Sequence, residues 1–344
     1  TINNGKLYFN TKLYTGNGGT NAQTGVGFQP DLIWIKSRSN TEPHIWTDVV
    51  RGANKNIRSN ATSSEFTDAN NITSFNSDGF SLGTGGAVNE NTYTFASWNW
   101  KAGTSFTNDA SATGIGTIDS TGSVNTDAGF SIVSYTGNGS AGATIGHGLG
   151  VTPKMFIVKS RSLAQDFTVY NEYIGNTNGL FLNNTDASTG DSSYFNNTSP
   201  TSSVFTVGTN ARGNTNGATY IAYCFNDVQG YSKFGSYSSN SNADGPFVYL
   251  GFKPAFLIVK CTTAAEGWAI MDSTREPTND GSFATLSANT NGSEGSLVID
   301  FLSNGFKPRQ VSGQINKSGS HSYIYMAFAE QPFVTSTGVP ATAR

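Results

Sequence analysis

The sequence predicts an all-β protein made of three tandem, homologous β-sandwich domains, jelly-roll-like and about 100 residues each. Three observations carry this. First, a long motif recurs: GFQPDLIWIKSR at Gly27–Arg38, GVTPKMFIVKSR at Gly150–Arg161 and GFKPAFLIVKCT at Gly251–Thr262. Its prolines, Pro30, Pro153 and Pro254, stand 123 and 101 residues apart, a spacing far longer than solenoid or propeller-blade repeats, so each copy reads as a small domain. Second, the apolar runs are short, β-branched and aromatic, and Gly, Asn, Asp and Ser bound them; this is the strand-and-turn pattern, and no run of ten or more residues has helical periodicity. Third, 23 Phe, 14 Tyr and 5 Trp supply core area although only 12% of residues are charged, about half the usual share.

In chain order, the first domain spans 1–103. It contains LYFNTKLYTGNGG, the opening motif, HIWTDVVRG, ITSFNSDGFSLG and TYTFASWNW, each of strand length. Asn76-Ser77-Asp78-Gly79 predicts a tight turn between Phe75 and Phe80. Residues 104–127, rich in small polar types, predict a linker or a hairpin extension. The second domain, 128–229, re-enters with FSIVSYTGNGS and closes on ATYIAYCF; the third, 230–334, closes on HSYIYMAF, and 335–344 form a C-terminal tail. The closing strands align as Tyr93/Trp98, Tyr220/Phe225 and Tyr323/Phe328. A third shared element reads WTDVVRG, VYNEYIG and IMDSTRE, so Asp48 and Arg51 recur as Asp272 and Arg275, whereas the second copy has Asn171 and Ile174.

Within the opening motif, proline suits the residue just before a strand, because it fixes φ and lacks an N–H. The continuous apolar run after it predicts a strand covered on both faces. The terminal Lys36, Lys159 and Lys260 then mark the strand's emergence into solvent.

Charge and composition exclude several classes. A net charge of −3 with scattered Lys and Arg leaves no basic stripe for nucleic acid. No apolar run approaches the length of a membrane span, and TINNGKLYFN lacks a signal-peptide pattern. Cys224 and Cys261 lie in apolar strand-like runs and read as buried free thiols. Gly137–Gly142 satisfies GxGxxG literally, but TIGHGLGVTP follows where a helix should begin, so it reads as a glycine-rich turn. His44, His147 and His321 occupy non-equivalent positions, and HExxH, CxxC and GxSxG are missing. No cofactor or metal site is expected. Asp48 with Glu42, or Asp272 with Glu276, could pair as glycosidase carboxylates, yet duplicated Asp–Arg pairs look more like structural ion pairs. Candidate ligand contacts are Trp46, Trp98, Trp100 and Trp268, as ring faces for sugar, and Lys36, Lys159 and Lys260, as a row of cations for an anionic glycan.

GFQPDLIWIKSR, WTDVVRG, SFNSDGFSLG and TFASWNWKAG, with the ending YMAFAEQPFVTSTGVPATAR, resemble a domain recurrent in virion proteins of marine and cyanobacterial tailed phages. The resemblance covers nearly the whole chain and offers no catalytic residues. It implies a non-enzymatic virion protein, assembled in the host cytoplasm: a tail-fibre-like or appendage module attaching to host-surface glycan or another receptor. Other virion proteins are expected as partners, with homo-oligomerisation, as a trimer by analogy. The alternatives are a capsid-decorating or shaft-forming structural protein and a polysaccharide depolymerase acting through Asp48 or Asp272.

Overall fold

The computed structural model describes residue 2 and residues 4–332; the tail at 335–344 lies outside the described residues. The protein is all-β, with antiparallel ladders throughout its sheets. Among the described residues, three four-residue helices, Gly86–Asn89, Ala110–Thr113 and Ser192–Phe195, interrupt the loops.

Each repeat builds the same inner sheet from a first, a central, a corner and a closing strand, in the spatial order first–closing–central–corner. In repeat 1 these are Phe9–Thr15, Leu32–Ser37, Ile45–Asp48 and Thr94–Trp100. In repeat 2 they are Phe130–Thr136, Met155–Ser160, Thr168–Asn171 and Thr219–Phe225. In repeat 3 they are Ser232–Ser238, Phe252–Cys261, Ala269–Asp272 and Ser322–Pro332. A small outer sheet packs on one face of each: Asn21–Thr24 with Gly79–Leu82, Ala143–Gly146 with Val204–Val207, and Val248–Tyr249 with Gly305–Pro308. Pro30 and Pro153 precede their strands, while Pro254 sits inside its strand at a register shift, where a missing N–H is tolerated.

The continuous apolar runs are explained by two cores. In repeat 1, Ile33 and Ile35 face the outer sheet and join Phe80, Leu82 and Phe95. Leu32 and Trp34 face the other way, into a cluster shared by all three repeats that holds Trp98, Trp100, Phe130, Tyr223, Phe225, Phe256 and Phe328. Each repeat therefore has a small core of its own, and the largest apolar cluster is common to the three. Burying fifteen or more large side chains in one cluster, at roughly 1.5–3 kcal/mol each, makes this shared centre the main source of cohesion.

Register corrects one alignment. Leu32, Met155 and Phe256 lie opposite Trp100, Phe225 and Phe328. Phe225 and Phe328 thus correspond to Trp100, and Tyr220 and Tyr323 to Phe95, two residues beyond the pairing read from Tyr93 and Trp98. Phe95 lacks a hydroxyl; Tyr220 and Tyr323 use theirs to donate to Ala211 O and Gly313 O.

Thr104–Asn108 and Ser120–Asn125 form an antiparallel pair that extends the first-strand edge of repeat 2. Among the described residues, neither of the other repeats carries this arm on its inner sheet. The arm also reaches the outer sheet, where Thr117 and Ile118 donate backbone N–H to Thr144 O.

Candidate functional site

All seven side chains singled out as ligand contacts are buried. The lysines do not emerge into solvent: the strand alternates, and Lys36, Lys159 and Lys260 take the inward position two residues after Trp34, Ile157 and Ile258. Their ammonium groups are held by backbone carbonyls. Lys159 donates to Thr62 O of repeat 1 and Gln165 O, Lys260 to Thr185 O of repeat 2 and Glu266 O, and Lys36 to Ser37 O and Asn40 O. Burial pulls all three down to about 8. The tryptophans are equally enclosed. Trp46 packs on Trp34 and on Tyr223 of repeat 2, Trp98 and Trp100 pack on Phe256 of repeat 3, and Trp268 donates to Phe181 O of repeat 2. The four tryptophans, Lys159 and Lys260 thus bind the repeats to one another, Lys36 ties its own loop, and none of the seven presents a face to a ligand.

The seams between repeats run in a closed cycle. Glu65 N–H donates to Arg161 O, Ser188 N–H to Thr262 O, and Glu294 N–H to Arg38 O, at 2.8, 2.9 and 2.8 Å. At two seams a glutamate bridges two arginines. Glu65 pairs with Arg161 at 2.9 Å and Arg51 at 3.4 Å; Glu294 pairs with Arg38 at 2.8 Å and Arg275 at 3.1 Å. Each inner arginine also pairs with a buried aspartate, Arg51 with Asp48 and Arg275 with Asp272. That aspartate accepts from the neighbouring repeat, Asp48 from Tyr223 and Asp272 from the Trp98 indole. At the third seam every member changes together. Ser188 stands for glutamate, Thr262 and Ile174 for the arginines, Asn171 for aspartate, and Met326 for the donor. An aspartate facing Met326 would be a buried charge without a partner, which is strongly unfavourable. The departures of repeats 2 and 3 from the motif are thus one neutral seam among two charged ones.

The remaining chemical candidates serve structure too. Trp34 Nε1 donates to His44 Nδ1, which leaves Nε2–H to donate to Ser287 O of repeat 3. His147 accepts from Leu149 N–H and contacts Thr201 O. Burial lowers both imidazoles, His147 to about 4 and His44 well below the usual range. Cys224 and Cys261 are buried free thiols, and burial pushes Cys224 up to about 12. In the GxGxxG turn, the N–H groups of Asn138 and Gly139 are taken by the buried Asn214 carboxamide, and those of Gly137 and Gly142 by Ala218 O and Val207 O. Asn214 recurs as Asn89 and Asn316, each tying the same loop to the body. No local motif marks these three in the sequence; the available signal is that each precedes its closing-strand aromatic (Phe95, Tyr220, Tyr323) by six or seven residues.

What faces solvent differs between repeats. In repeat 2 the arm and the first strand enclose an open cleft of about 720 Å³. Thr107, Thr121, Ser134 and Asn138 line it with hydroxyl and amide groups, together with the carboxylates of Asp109 and Asp119. Asp109 is committed as a helix cap, and hydrogen bonds from the Ser111 hydroxyl and Ala112 N–H hold its carboxyl below the usual range. Such a lining can exchange hydrogen bonds with a hydroxyl-rich ligand, the carboxylates acting as acceptors.

No curated protein matches the chain. A family model described as a domain of unknown function (DUF7483) matches residues 4–332, and the chain belongs to that family.

Proposed function

We propose that the chain is a non-enzymatic attachment module of a phage virion appendage, a rigid body that recognises host-surface glycan. The cleft between the arm and the first strand of repeat 2 carries this reading: it is open to solvent and presents hydroxyl, amide and carboxylate groups from one continuous sheet. Rigid scaffolds that differ at their surface elements are where recognition is placed. The depolymerase alternative is weaker, because Asp48 and Asp272, the carboxylates it needs, are walled in by arginine and by the neighbouring repeat. The test is adsorption of the purified, labelled chain to a panel of intact marine bacterial and cyanobacterial cells. Thr107 and Thr121 are cross-strand partners in the arm. Replacing both with tyrosine fills the cleft, and adsorption should fall at least tenfold; unchanged adsorption removes the cleft from the mechanism.

A second reading, a decorating or shaft-forming element, is favoured by the closed cycle of seams, which gives one chain a pseudo-three-fold shape suited to a three-fold partner. Its test is the location of the chain in an intact particle, on the head lattice or the tail.

A further inference from the structure

The outer sheet gives an internal comparison, because one framework is built three times. Its register is anchored by buried Phe80, Phe205 and Phe306, which lie opposite Gln23, Ile145 and Val248. The residues flanking that opposite position are therefore equivalent: Ala22 and Thr24 in repeat 1, Thr144 and Gly146 in repeat 2, Phe247 and Tyr249 in repeat 3. Two copies make this edge without any aromatic, so the rings of the third are not a requirement of the fold. Val248 is buried between them, while Phe247 is 48% and Tyr249 55% exposed, both on the outward side of the edge strand.

The rings are held in place. Gly305 forms the floor beneath Phe247: a Cβ there would come within 3.1 Å of the ring and 2.1 Å of Val248 O. Lys233 donates to Tyr249 O at 2.8 Å and sits 5.2 Å from the centre of its ring. Residues two apart on a strand are separated by roughly 6.6 Å, so the two rings form one short platform. Donors and acceptors border it: Lys307 pairs with Asp244 at 2.9 Å, and Arg309 reaches Asp300 at 3.4 Å and also pairs with Asp244. Three cations, Lys233, Lys307 and Arg309, thus stand along this rim, interleaved with the carboxylates of Asp244, Asp300 and, near Lys233, Asp227.

We propose that this outer face of repeat 3 is a binding platform for an acidic saccharide chain. Ring faces carry negative charge density that attracts the polarised C–H groups of a sugar, and the rim supplies charge-assisted hydrogen bonds to hydroxyls and carboxylates. Two rings offer far less area than the roughly 1,200 Å² a stable protein interface buries, which favours a narrow polymer over a protein partner. The site deepens the attachment reading and rests on it, and it lies in a different repeat from the arm cleft.

The test is affinity electrophoresis of the full chain in gels cast with alginate, a polyuronate, or dextran, a neutral glucan. The wild-type chain should be retarded by alginate. Phe247→Ala with Tyr249→Thr, which copies Ala22 and Thr24 of repeat 1 and so keeps a proven fold, should weaken retardation at least tenfold with an unchanged melting temperature. Phe247→Trp with Tyr249→Trp should preserve it. No retardation by alginate, retardation by dextran alone, or equal retardation of the Ala/Thr variant would overturn the platform. If that variant still adsorbs to cells as wild type does while the arm variant does not, the platform fails and the attachment reading stands; if wild type adsorbs to no cells, the attachment reading itself fails.

Discussion

The hydroxyl of Tyr223 in repeat 2 donates to the buried carboxylate of Asp48 in repeat 1 at 2.8 Å, and at the seam where Met326 takes the tyrosine's place the aspartate is Asn171. The donor and the charge come and go together. Asp48→Asn alone should leave Arg51 a buried cation with a weakened partner set, at a cost of about 3–5 kcal/mol. Transplanting the neutral seam as a whole (Asp48→Asn, Arg51→Ile, Glu65→Ser, Arg161→Thr and Tyr223→Met) should recover most of that loss. Urea unfolding of the two variants decides the matter. A five-fold variant less stable than the single one would mean that the seams are not interchangeable.

Acid should weaken the protein through its buried histidines. His147 binds its proton at about 4 in the folded chain against 6.5 when free, because burial disfavours the cation. The unfolded chain therefore takes up protons first. Stability is complete above pH 6.5 and declines as pH falls from 6.5 towards 4, by roughly 3 kcal/mol for this residue. His44, also lowered by burial, acts in the same direction, and protonating Nδ1 would set it against the Trp34 N–H. Asp31, pushed up to about 6 by burial, works oppositely, losing stability as pH rises through that range. Comparison of wild type with His147→Gln cancels the Asp31 contribution: the variant should lose less stability between pH 8 and pH 5. Parallel curves would exclude His147.

The three buried lysines predict an unusual alkaline limb. Each loses its proton at about 8 in the folded chain and 10.5 when unfolded, burial being the main cause. Above pH 8 the unfolded chain holds more protons, so stability should rise between pH 8 and 10, by roughly 2 kcal/mol per lysine. Above 10 the trend reverses, because buried Tyr14, Tyr135, Tyr223, Tyr231 and Tyr237 resist an ionisation the unfolded chain undergoes freely. Lys159→Met should flatten the limb by about a third. It should also destabilise at pH 7, since Thr62 O and Gln165 O lose their donor, at about 1–3 kcal/mol per orphaned group. Guanidinium titrations at pH 7, 8 and 10 read both effects.

The all-β class and the repeats were legible because strand length, turn residues and a twelve-residue motif are local properties. The fate of the lysines was not. LIWIK reads as a covered strand followed by an exit, but period-two alternation puts Leu32, Trp34 and Lys36 on one face, and that face belongs to a core formed only when three repeats close. The coupled change of Asn171, Ile174, Ser188, Thr262 and Met326 was equally hidden, since those residues meet across seams and lie far apart in sequence. PFVYL likewise reads as one more core strand until pairing and exposure place Val248 inward and Phe247 and Tyr249 outward.

The recurrent asparagine gives the last prediction. Asn214 accepts from the N–H groups of Asn138 and Gly139 and donates to Ser140 O and Gly208 O, so one buried carboxamide satisfies four backbone groups. Asn89 makes the same type of tie to Asn17 N–H, Gly19 O and Gly83 O, and Asn316 to Asn240 N–H and Asn242 O. Only a carboxamide offers donors and an acceptor on so short a stem; an aspartate would turn two carbonyls against a charge. Asn214→Asp should therefore be at least as damaging as Asn214→Ala, and Ala should cost roughly 2–4 kcal/mol because several buried groups lose partners at once. The loss should be local first: amide exchange of Asn138 and Gly139 should accelerate far more than that of Ile221 in the closing strand. Uniform acceleration across both would mean that the asparagine stabilises the body as a whole and is not a latch on its loop.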